Sequence, residues 1–235
     1  MAKAEKSKKV KKVVEQVEKF VASDIDQAVD KIIEFSNESK RKFVESIDVS
    51  INLGIDAKQS DQNVRGAVLL PNGSGKKVQV AVFTADEAKI KEAKEAGASQ
   101  AGFEELVQKI QDGNIDFDYC IATPDIMSKI GKVAKILGPR GLMPSPKNGS
   151  VTTDIKKAVQ DALKGKVNFK NDKAGIVHCL VGKVDFSKDK LVENIKEVLK
   201  VVKDSRPEAS KGKFIKRVHL SATMSKSVEI AASSL

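Results

Sequence analysis

Residues 78–97 read VQVAVFTADEAKIKEAKEAG, a strand-like apolar run followed directly by a helix-forming one. The apolar run Val78–Phe83 is typical of a buried strand. Asp86–Ala96 predicts a helix that is closed by Gly97, a residue type that commonly ends helices. This strand–helix pair decides the fold class of the middle of the chain, because it is repeated further along.

The alternation of strands and helices continues to residue 165. We expect a helix over Phe103–Gln111, a strand over Phe117–Ala122, a helix from Pro124 to Leu137, a Gly/Pro loop over 138–149 and a helix from Thr152 or Thr153 to near Gly165. Such alternation predicts right-handed βαβ crossovers and a parallel sheet. The middle of the chain is therefore predicted to have a Rossmann-like α/β layout.

The N-terminal part follows a different, α+β pattern. Alternation of apolar and polar residues predicts a half-buried strand from Ile47 to Leu53. A helix before this strand is expected to be capped by Ser23 and to bury Ile25, Val29, Ile32 and Ile33. The first 19 residues are rich in lysine and carry valines at helical spacing, which predicts another helix. A break at 71–75, PNGSG, ends this part of the chain.

The C-terminal part is also α+β. The expected elements are a strand over Val167–Lys170, a turn over Asn171–Gly175, a strand over Ile176–Val184, a helix from Ser187, as its cap, to Val202, and a strand over Phe214–Ala222. Because the N-terminal part is poor in strands, the two ends are predicted to complete one sheet between them.

Charge divides the chain in the same way. Residues 71–162 contain 13 Lys and Arg against 12 Asp and Glu, residues 1–70 contain 13 against 12, and residues 163–235 contain 16 against 8. Nine of the ten net positive charges therefore lie outside the middle of the chain. Clustered Lys and Arg favour a polyanion binder, although a soluble protein of high pI has the same composition. We predict a basic unit built from both ends, with a second unit inserted.

Several classes of function are not favoured by the sequence. No apolar run is long enough for a membrane helix, and the polar N-terminus does not resemble a secretory signal. Cys120 and Cys179 lie in apolar runs and are expected to be buried, reduced thiols of a cytoplasmic protein. With His178 they are too few and wrongly spaced for a zinc site, and we expect neither a metal nor a cofactor.

Nucleotide-binding and catalytic motifs are also missing from the sequence. PNGSGKK at 71–77 departs from the phosphate-binding loop, since Leu70 stands where the first glycine belongs, and it is predicted to be a turn between strands. No Gly-x-Gly-x-x-Gly follows a strand of the middle region. Neither His178 nor His219 lies in a recognisable triad pattern, so no catalytic residue is predicted.

Two segments have both a structural and a functional interpretation. NDKAG at 171–175 is either an ordinary Asx/Gly turn or a loop that offers Lys173 and backbone amides to phosphates and 2′-hydroxyls, with His178 nearby. KRKF at 40–43 is either a solvated basic loop with Phe43 in the core, or a basic cluster with an aromatic ring beside it. The low aromatic content, nine Phe and one Tyr, favours a folded nucleic acid over an unstructured strand.

Longer motifs resemble those of a known family. LGID at 53–56 with SDQNVRG at 60–66, LGPRGLMPSPKNG at 137–149, the residues Asn171–Lys173, Gly175, His178 and Gly182-Lys183, and the terminal Thr223-Met224 stand in the order of the universal ribosomal large-subunit stalk protein L-one family. The resemblance covers the chain from about residue 40 to 225 and is bacterial in type.

The resemblance implies a fold and a function. The fold class is α/β and α+β with two domains: a discontinuous α+β two-layer domain made of 1–70 and 163–235, and an inserted Rossmann-like three-layer α/β domain over 71–162. Family members bind large-subunit rRNA, form the mobile stalk beside the site where deacylated tRNA leaves, and in bacteria bind the leader of their own mRNA and repress its translation. We therefore expect a non-enzymatic protein of the cytoplasmic ribosome that is a monomer when free.

The resemblance also places the RNA-binding surface. It implies that domain one binds RNA through Lys42, Phe43, Asp172, Lys173, His178, Thr223 and Met224. The family commonly has Gly after the Thr-Met pair, where this chain has Ser225. The loop at 138–149 is expected to shape domain two and the face between the domains.

Two other functions are compatible with the composition. One is an RNA- or nucleotide-modifying enzyme that uses the Rossmann-like middle region, which would bind a nucleotide when freed of RNA. The other is a DNA-compacting protein, which would not prefer one RNA hairpin junction over random duplex. Phe43 and Met224 could also be core residues, since both adjoin apolar strands.

Overall fold

The computed structural model describes residues 20–38, 41–210 and 212–231, so the helix expected in the first 19 residues lies outside the described chain. Within these ranges the chain is a mixed α/β protein. Its elements are β1 (Phe20–Ala22), α1 (Ile25–Glu38), β2 (Ser46–Leu53), β3 (Arg65–Leu69), β4 (Val80–Phe83), α2 (Glu87–Glu95), β5 (Gln100–Gly102), α3 (Glu104–Gln111), β6 (Tyr119–Ala122), α4 (Met127–Ile130), α5 (Ala134–Leu137), α6 (Ile155–Leu163), β7 (Lys166–Lys170), β8 (Ile176–Lys183), α7 (Lys188–Asp204), β9 (Ile215–Ala222) and β10 (Val228–Ile230).

Both ends of the chain contribute to a five-stranded sheet of order β1-β10-β9-β2-β8. Strand β2 pairs antiparallel with β8 on one side and β9 on the other, and β1 pairs parallel with β10. The odd-numbered residues of β2, Ile47 to Leu53, are buried, while its even-numbered residues are partly exposed. The buried side packs on α1 and α7 in one apolar core. The opposite side of the sheet presents polar residues.

A second sheet is parallel, as the strand–helix alternation predicts, with the order β5-β4-β6. Every residue of β4 is buried, because the sheet has an apolar cluster on each face. Ala81 and Phe83 face the cluster that includes α3, α4 and α5. Val80 and Val82 face the cluster that includes α2 and α6. The central strand therefore reads as continuously apolar instead of alternating.

The apolar clusters divide along the chain. The core of the five-stranded sheet draws its residues from Ala22 to Leu70 and from Phe169 to Ile230. The two clusters of the parallel sheet draw theirs from Val80 to Ala162. Strands β3 and β7 pair antiparallel, with Leu69 opposite Lys166, where the chain passes between these regions.

Three short strands were not expected from the sequence. β1, β5 and β10 have three residues each, which is too short for an alternation of polar and apolar residues to be recognised. β1 and β10 complete the edge of the five-stranded sheet, and β5 is an edge of the parallel sheet.

The prediction of a single helix from Pro124 to Leu137 is wrong. A 3₁₀ turn at Pro124–Ile126 is followed by α4, and a turn at Gly131 separates α4 from α5. The hydrogen bonds across this turn, such as Val133 N to Ile130 O at 2.9 Å, span three residues. Glycine has a poor helix propensity, and the tighter turns still bury Ile130, Val133 and Leu137.

Two expected caps need correction, and the position of a third is confirmed. α6 starts at Ile155 with Asp154, not a threonine, as its cap, and the Asp154 carboxylate accepts from Lys157 N at 3.2 Å. In α1 the first helical bond runs from Ala28 N to Asp24 O, so Asp24, and not the expected Ser23, is the residue at the cap position. Ser187 occupies the N-cap position of α7, but its side chain makes no capping bond with a described residue.

Candidate nucleic-acid interface

The polar side of the five-stranded sheet carries a row of three side chains. Ser50 on β2 is the register partner of His178 on β8 and of His219 on β9. The Ser50 hydroxyl lies 3.1 Å from His178 Nδ1. His178 and His219 are the only histidines of the chain. Strand pairing therefore places both imidazoles on one polar surface, although they are 41 residues apart in sequence.

The turn before β8 is held by the carboxylate of Asp172. Asp172 Oδ1 accepts hydrogen bonds from Ala174 N and Ile176 N, both at 2.8 Å. The Ile176 bond above all, then the Ala174 bond and nearby His178, keep the pKa of Asp172 below its ordinary value. Asp172 Oδ2 lies 3.8 Å from His178 Nε2. The turn is thus a well-formed Asx turn, and its amides at 174 and 176 are already used within it.

Asn171 fixes this turn to the segment SDQNVRG. Its buried side chain accepts from Val64 N at 2.9 Å and donates to Asn63 Oδ1 at 3.2 Å. In the same segment a Cβ on Gly66 would lie 2.8 Å from the Phe169 ring, so only glycine fits without displacing that ring. This motif therefore has a structural role beneath the turn that exposes Asp172, Lys173 and His178.

A second set of contacts joins the segment before β2 to the loop after β9. Arg41 Nη2 donates to Met224 O at 2.7 Å. Ser46 N donates to Thr223 Oγ1 at 3.0 Å, and the same hydroxyl donates to Ser46 O at 3.3 Å. Segments about 180 residues apart in sequence are thus bonded side by side.

All seven predicted site residues are exposed. Phe43 is 54% and Met224 67% exposed, so neither is a core residue. The structure brings the seven into two groups. We name them the Met224 patch (Lys42, Phe43, Thr223 and Met224) and the His178 patch (Asp172, Lys173 and His178). Ser46 and Ser50, which contact one patch each, are four residues apart on β2, so the patches are about 13 Å apart along the sheet.

Ser225, which stands where the family commonly has glycine, is folded back onto its own turn. Its hydroxyl accepts from Ala222 N at 3.0 Å, and its amide donates to Ala222 O at 3.1 Å. The side chain therefore stabilises the loop that presents Thr223 and Met224.

The loop at 138–149 packs against the β3–β7 pair. Its 3₁₀ turn Pro146–Asn148 contacts β3, and Lys166 Nζ on β7 donates to Gly149 O at 3.3 Å. A Cβ on Gly138 would lie 2.8 Å from Ala134 O, so this glycine permits the tight turn after α5. The geometry of this motif is that of a structural loop at the junction of the two sheets.

The described residues contain no metal-ligand cluster, and both of their cysteines are buried. Among the described residues no three His, Cys, Asp or Glu side chains are grouped as a metal site would require. Burial raises the pKa of both the Cys120 and the Cys179 thiols to about 12, which disfavours a nucleophilic thiolate. No helix in the described part of the chain is long and apolar enough to cross a membrane.

Two buried polar residues, Glu45 and Asn194, were not predicted from the sequence. Glu45 is 1% exposed and Asn194 is fully buried. Glu45 could have been found, since it is in phase with the buried residues Ile47 and Val49 of the alternating strand. Asn194 lies among the core residues Leu191, Ile195 and Val198 of α7, and that position was the available signal.

Comparison with known proteins gives matches over nearly the whole chain. The sequence profile of the ribosomal protein L1p/L10e family matches residues 32–226. The large ribosomal subunit protein uL1 of Proteus mirabilis (strain HI4320) is 47% identical over 232 residues, 99% of this chain and 98% of that protein. The uL1 proteins of Pasteurella multocida (strain Pm70) and Alcanivorax borkumensis are 47% identical over 232 residues as well, again covering 99% of this chain. The matches include both patches.

Proposed function

Because this chain belongs to the ribosomal protein L1p/L10e family, we propose that it binds large-subunit rRNA through the Met224 and His178 patches. The family is structural and not enzymatic, which removes the alternative of a modifying enzyme built on the parallel sheet. The chain is a constituent of the large subunit in cytoplasmic ribosomes. In this role phosphate contacts give affinity, while shape and 2′-hydroxyl contacts give specificity.

One observation carries the RNA-binding proposal. Arg41 and Ser46, before and at the start of β2, are bonded to Met224 and Thr223 in the loop after β9, and this presents an exposed ring, an exposed thioether and Lys42 on one surface. Exposed apolar side chains beside cations suit RNA, because sugars and bases can pack on the apolar groups while phosphates pair with the cations. The net charge of +8 on residues 163–235, 16 Lys and Arg against 8 Asp and Glu, favours the same partner.

We further propose two domains with the boundaries 1–70 with 163–235, and 71–162. The separate apolar cores on either side of the β3–β7 pair support this division. In this arrangement domain one binds RNA and the inserted Rossmann-like domain two extends from it. The free protein is proposed to be a monomer.

Ultraviolet crosslinking of the chain in cell extract, followed by sequencing of the attached RNA, tests the proposal. We expect one segment of large-subunit rRNA to dominate. Crosslinked peptides are expected from the segments 41–46, 171–178 and 223–224. RNA recovered without enrichment of any rRNA segment, or crosslinks confined to 71–162, would contradict it.

Two finer roles follow from the same surface. We propose that the leader of the chain's own mRNA binds the same patches, so that a leader transcript and the rRNA segment compete for one site. We also propose that the ribosome-bound chain assists the release of deacylated tRNA at the exit site. Competition binding tests the first role. The rate at which labelled deacylated tRNA leaves ribosomes with and without the chain tests the second.

A further inference from the structure

A cavity of about 310 Å³ lies beside the Met224 patch. It is formed by the end of α1, the segment Arg41–Glu45 and the turn after β8, with Asn37, Phe43 and Asp185 among its lining residues. Its volume is at the lower end of the range of small-ligand sites, about 300–1,000 Å³. The cavity is therefore large enough for one small group of an RNA, such as a single nucleoside.

Glu45 is the unusual residue of this cavity. The alternation of β2 continues back to it and turns its side chain inward, so that it is 1% exposed. One carboxylate oxygen, Oε1, pairs with Arg41 Nη1, and Arg41 in turn donates to Met224 O. The other oxygen, Oε2, is buried, and no donor among the described residues reaches it. Burying an unpaired carboxylate oxygen costs free energy that a hydrogen-bond donor from a ligand would recover.

As a carboxylate oxygen, Glu45 Oε2 requires a hydrogen-bond donor as its partner. A carboxylate accepts hydrogen bonds and repels phosphate oxygens, so it does not bind the RNA backbone through phosphate. The donors that RNA offers are the ribose 2′-hydroxyl and the amino or imino groups of the bases. The exposed side chains of Lys42 and Phe43 border the same cavity. They can pair with the flanking phosphate and stack on the base when the nucleotide enters.

We propose that RNA binding uncovers Glu45 Oε2, and that this oxygen then accepts a hydrogen bond from a single RNA nucleotide held in this cavity, through its 2′-hydroxyl or a base N–H. This site rests on the proposed RNA-binding function and adds a specificity contact to it. Arg41 holds the other carboxylate oxygen and the main chain of Met224, so occupation of the cavity is coupled to the shape of the Met224 patch.

The test compares Glu45→Gln with wild type on a transcript of the rRNA segment recovered by crosslinking. The amide has one acceptor oxygen, which Arg41 engages, so the free position becomes an N–H donor. We expect affinity to fall about 10- to 100-fold, the scale of a hydrogen bond to a charged group. Asp185→Asn is the matched control, since it removes the same charge from the same cavity and is expected to bind as wild type or slightly tighter.

Single-nucleotide replacements in the transcript identify the donor. A 2′-deoxy position that weakens wild type but has no further effect on Glu45→Gln assigns the ribose hydroxyl. A base analogue lacking its amino group that behaves in this way assigns the base edge. If the affinity lost through Glu45→Gln and the affinity lost through the RNA replacement simply add when both are combined, the proposal is overturned. It is also overturned if Glu45→Gln binds as tightly as wild type or tighter.

Two controls keep the outcomes separate. Wild type must prefer the rRNA segment over an unrelated hairpin; if it does not, the proposed function itself fails. If it does and Glu45→Gln is unchanged, only the Glu45 contact is disproved. Should Glu45→Gln lower the thermal midpoint strongly, Glu45→Asp repeats the test, because it keeps the charge and withdraws the carboxylate by one methylene.

Discussion

Met224 and Thr223 are neighbours in one loop, but their side chains differ in what they contact. The Thr223 hydroxyl is bonded to both backbone groups of Ser46, whereas the Met224 side chain is 67% exposed. Met224→Ala is therefore expected to leave the thermal midpoint unchanged and to weaken binding of the rRNA segment by about 1–3 kcal/mol. Thr223→Val is expected to lower stability by about 1 kcal/mol as well as affinity. Thermal melts and binding titrations on both variants measure this.

The salt dependence of binding separates packing from charge on the two patches. Lys42→Ala or Lys173→Ala should lower affinity and flatten the slope of log affinity against log salt by about 1 for each lost phosphate contact. Met224→Ala should leave that slope unchanged. Lys156→Ala, an exposed lysine of α6, is the control and should change neither quantity. Equal affinity for wild type and Met224→Ala would show that the thioether does not contact RNA.

Asp172 gives the fold a dependence on acid pH. Its pKa is lowered, first by the Ile176 amide, so its contribution is complete above the unfolded pKa of about 3.9 and is lost as pH falls through the folded value. Asp172→Asn is expected to melt below wild type at pH 7, and the difference should vanish in more acid solution, where both side chains are neutral. Lys173→Ala, in the same turn, should show no such convergence. A gap that persists at the lowest pH would mean that the charge is not responsible.

At the scale of elements, periodicity in the sequence located most helices and the long strands. β2 could be predicted because four apolar residues alternate over it, and α7 because its apolar face repeats at helical spacing. The order of the strands could not be predicted. β2 pairs with strands about 130 and 170 residues away, and nothing local in a strand specifies such a partner. The same limit hid the contact of Arg41 with Met224.

Asn194 on α7 holds Asn72 and Gly73, in the segment where the chain first passes from the five-stranded sheet toward the parallel sheet. Its side chain accepts from Asn72 N at 3.1 Å and donates to Gly73 O at 3.1 Å and Val181 O at 2.8 Å. Asn194→Ala would leave the buried Val181 O and the partly buried Asn72 N and Gly73 O without this partner, so we expect a loss of about 2–4 kcal/mol in the free energy of unfolding.

Glu193→Ala is the control for this prediction. Glu193 accepts from the exposed Asn72 side chain at 2.8 Å, and its removal should cost less than about 0.5 kcal/mol. Denaturant titrations of both variants measure the difference. Similar losses in the free energy of unfolding for the two variants would show that the buried Asn194 amide does not stabilise this segment.

At the scale of the whole molecule, the charge partition predicted a basic unit made of both ends, and the five-stranded sheet does contain strands from both ends. The candidate interface was less predictable. Its seven residues came from motifs that resemble a family, while the buried Glu45 and the pairing of Ser50 with His178 and His219 depend on strand register. Register is specified by the packing of the whole sheet, and a local stretch of sequence does not contain it.

If residues 71–162 form a separate domain, the rest should fold and bind RNA without them. Leu69 and Lys166 are register partners, so the two cut ends already lie side by side. Fusing Leu70 directly to Leu163 leaves a four-residue connection between these partners, a length common in β-hairpins, and a short Gly-Ser linker is an alternative. We expect this chain to keep most of the affinity of full-length protein for the rRNA segment and to lose affinity log-linearly with salt, since nine of the ten net charges remain. Circular dichroism first establishes that it folds, and Lys42→Ala in the fused chain serves as the matched control. A folded fused chain that no longer binds would place essential contacts in 71–162 and contradict the assignment of RNA binding to the five-stranded sheet.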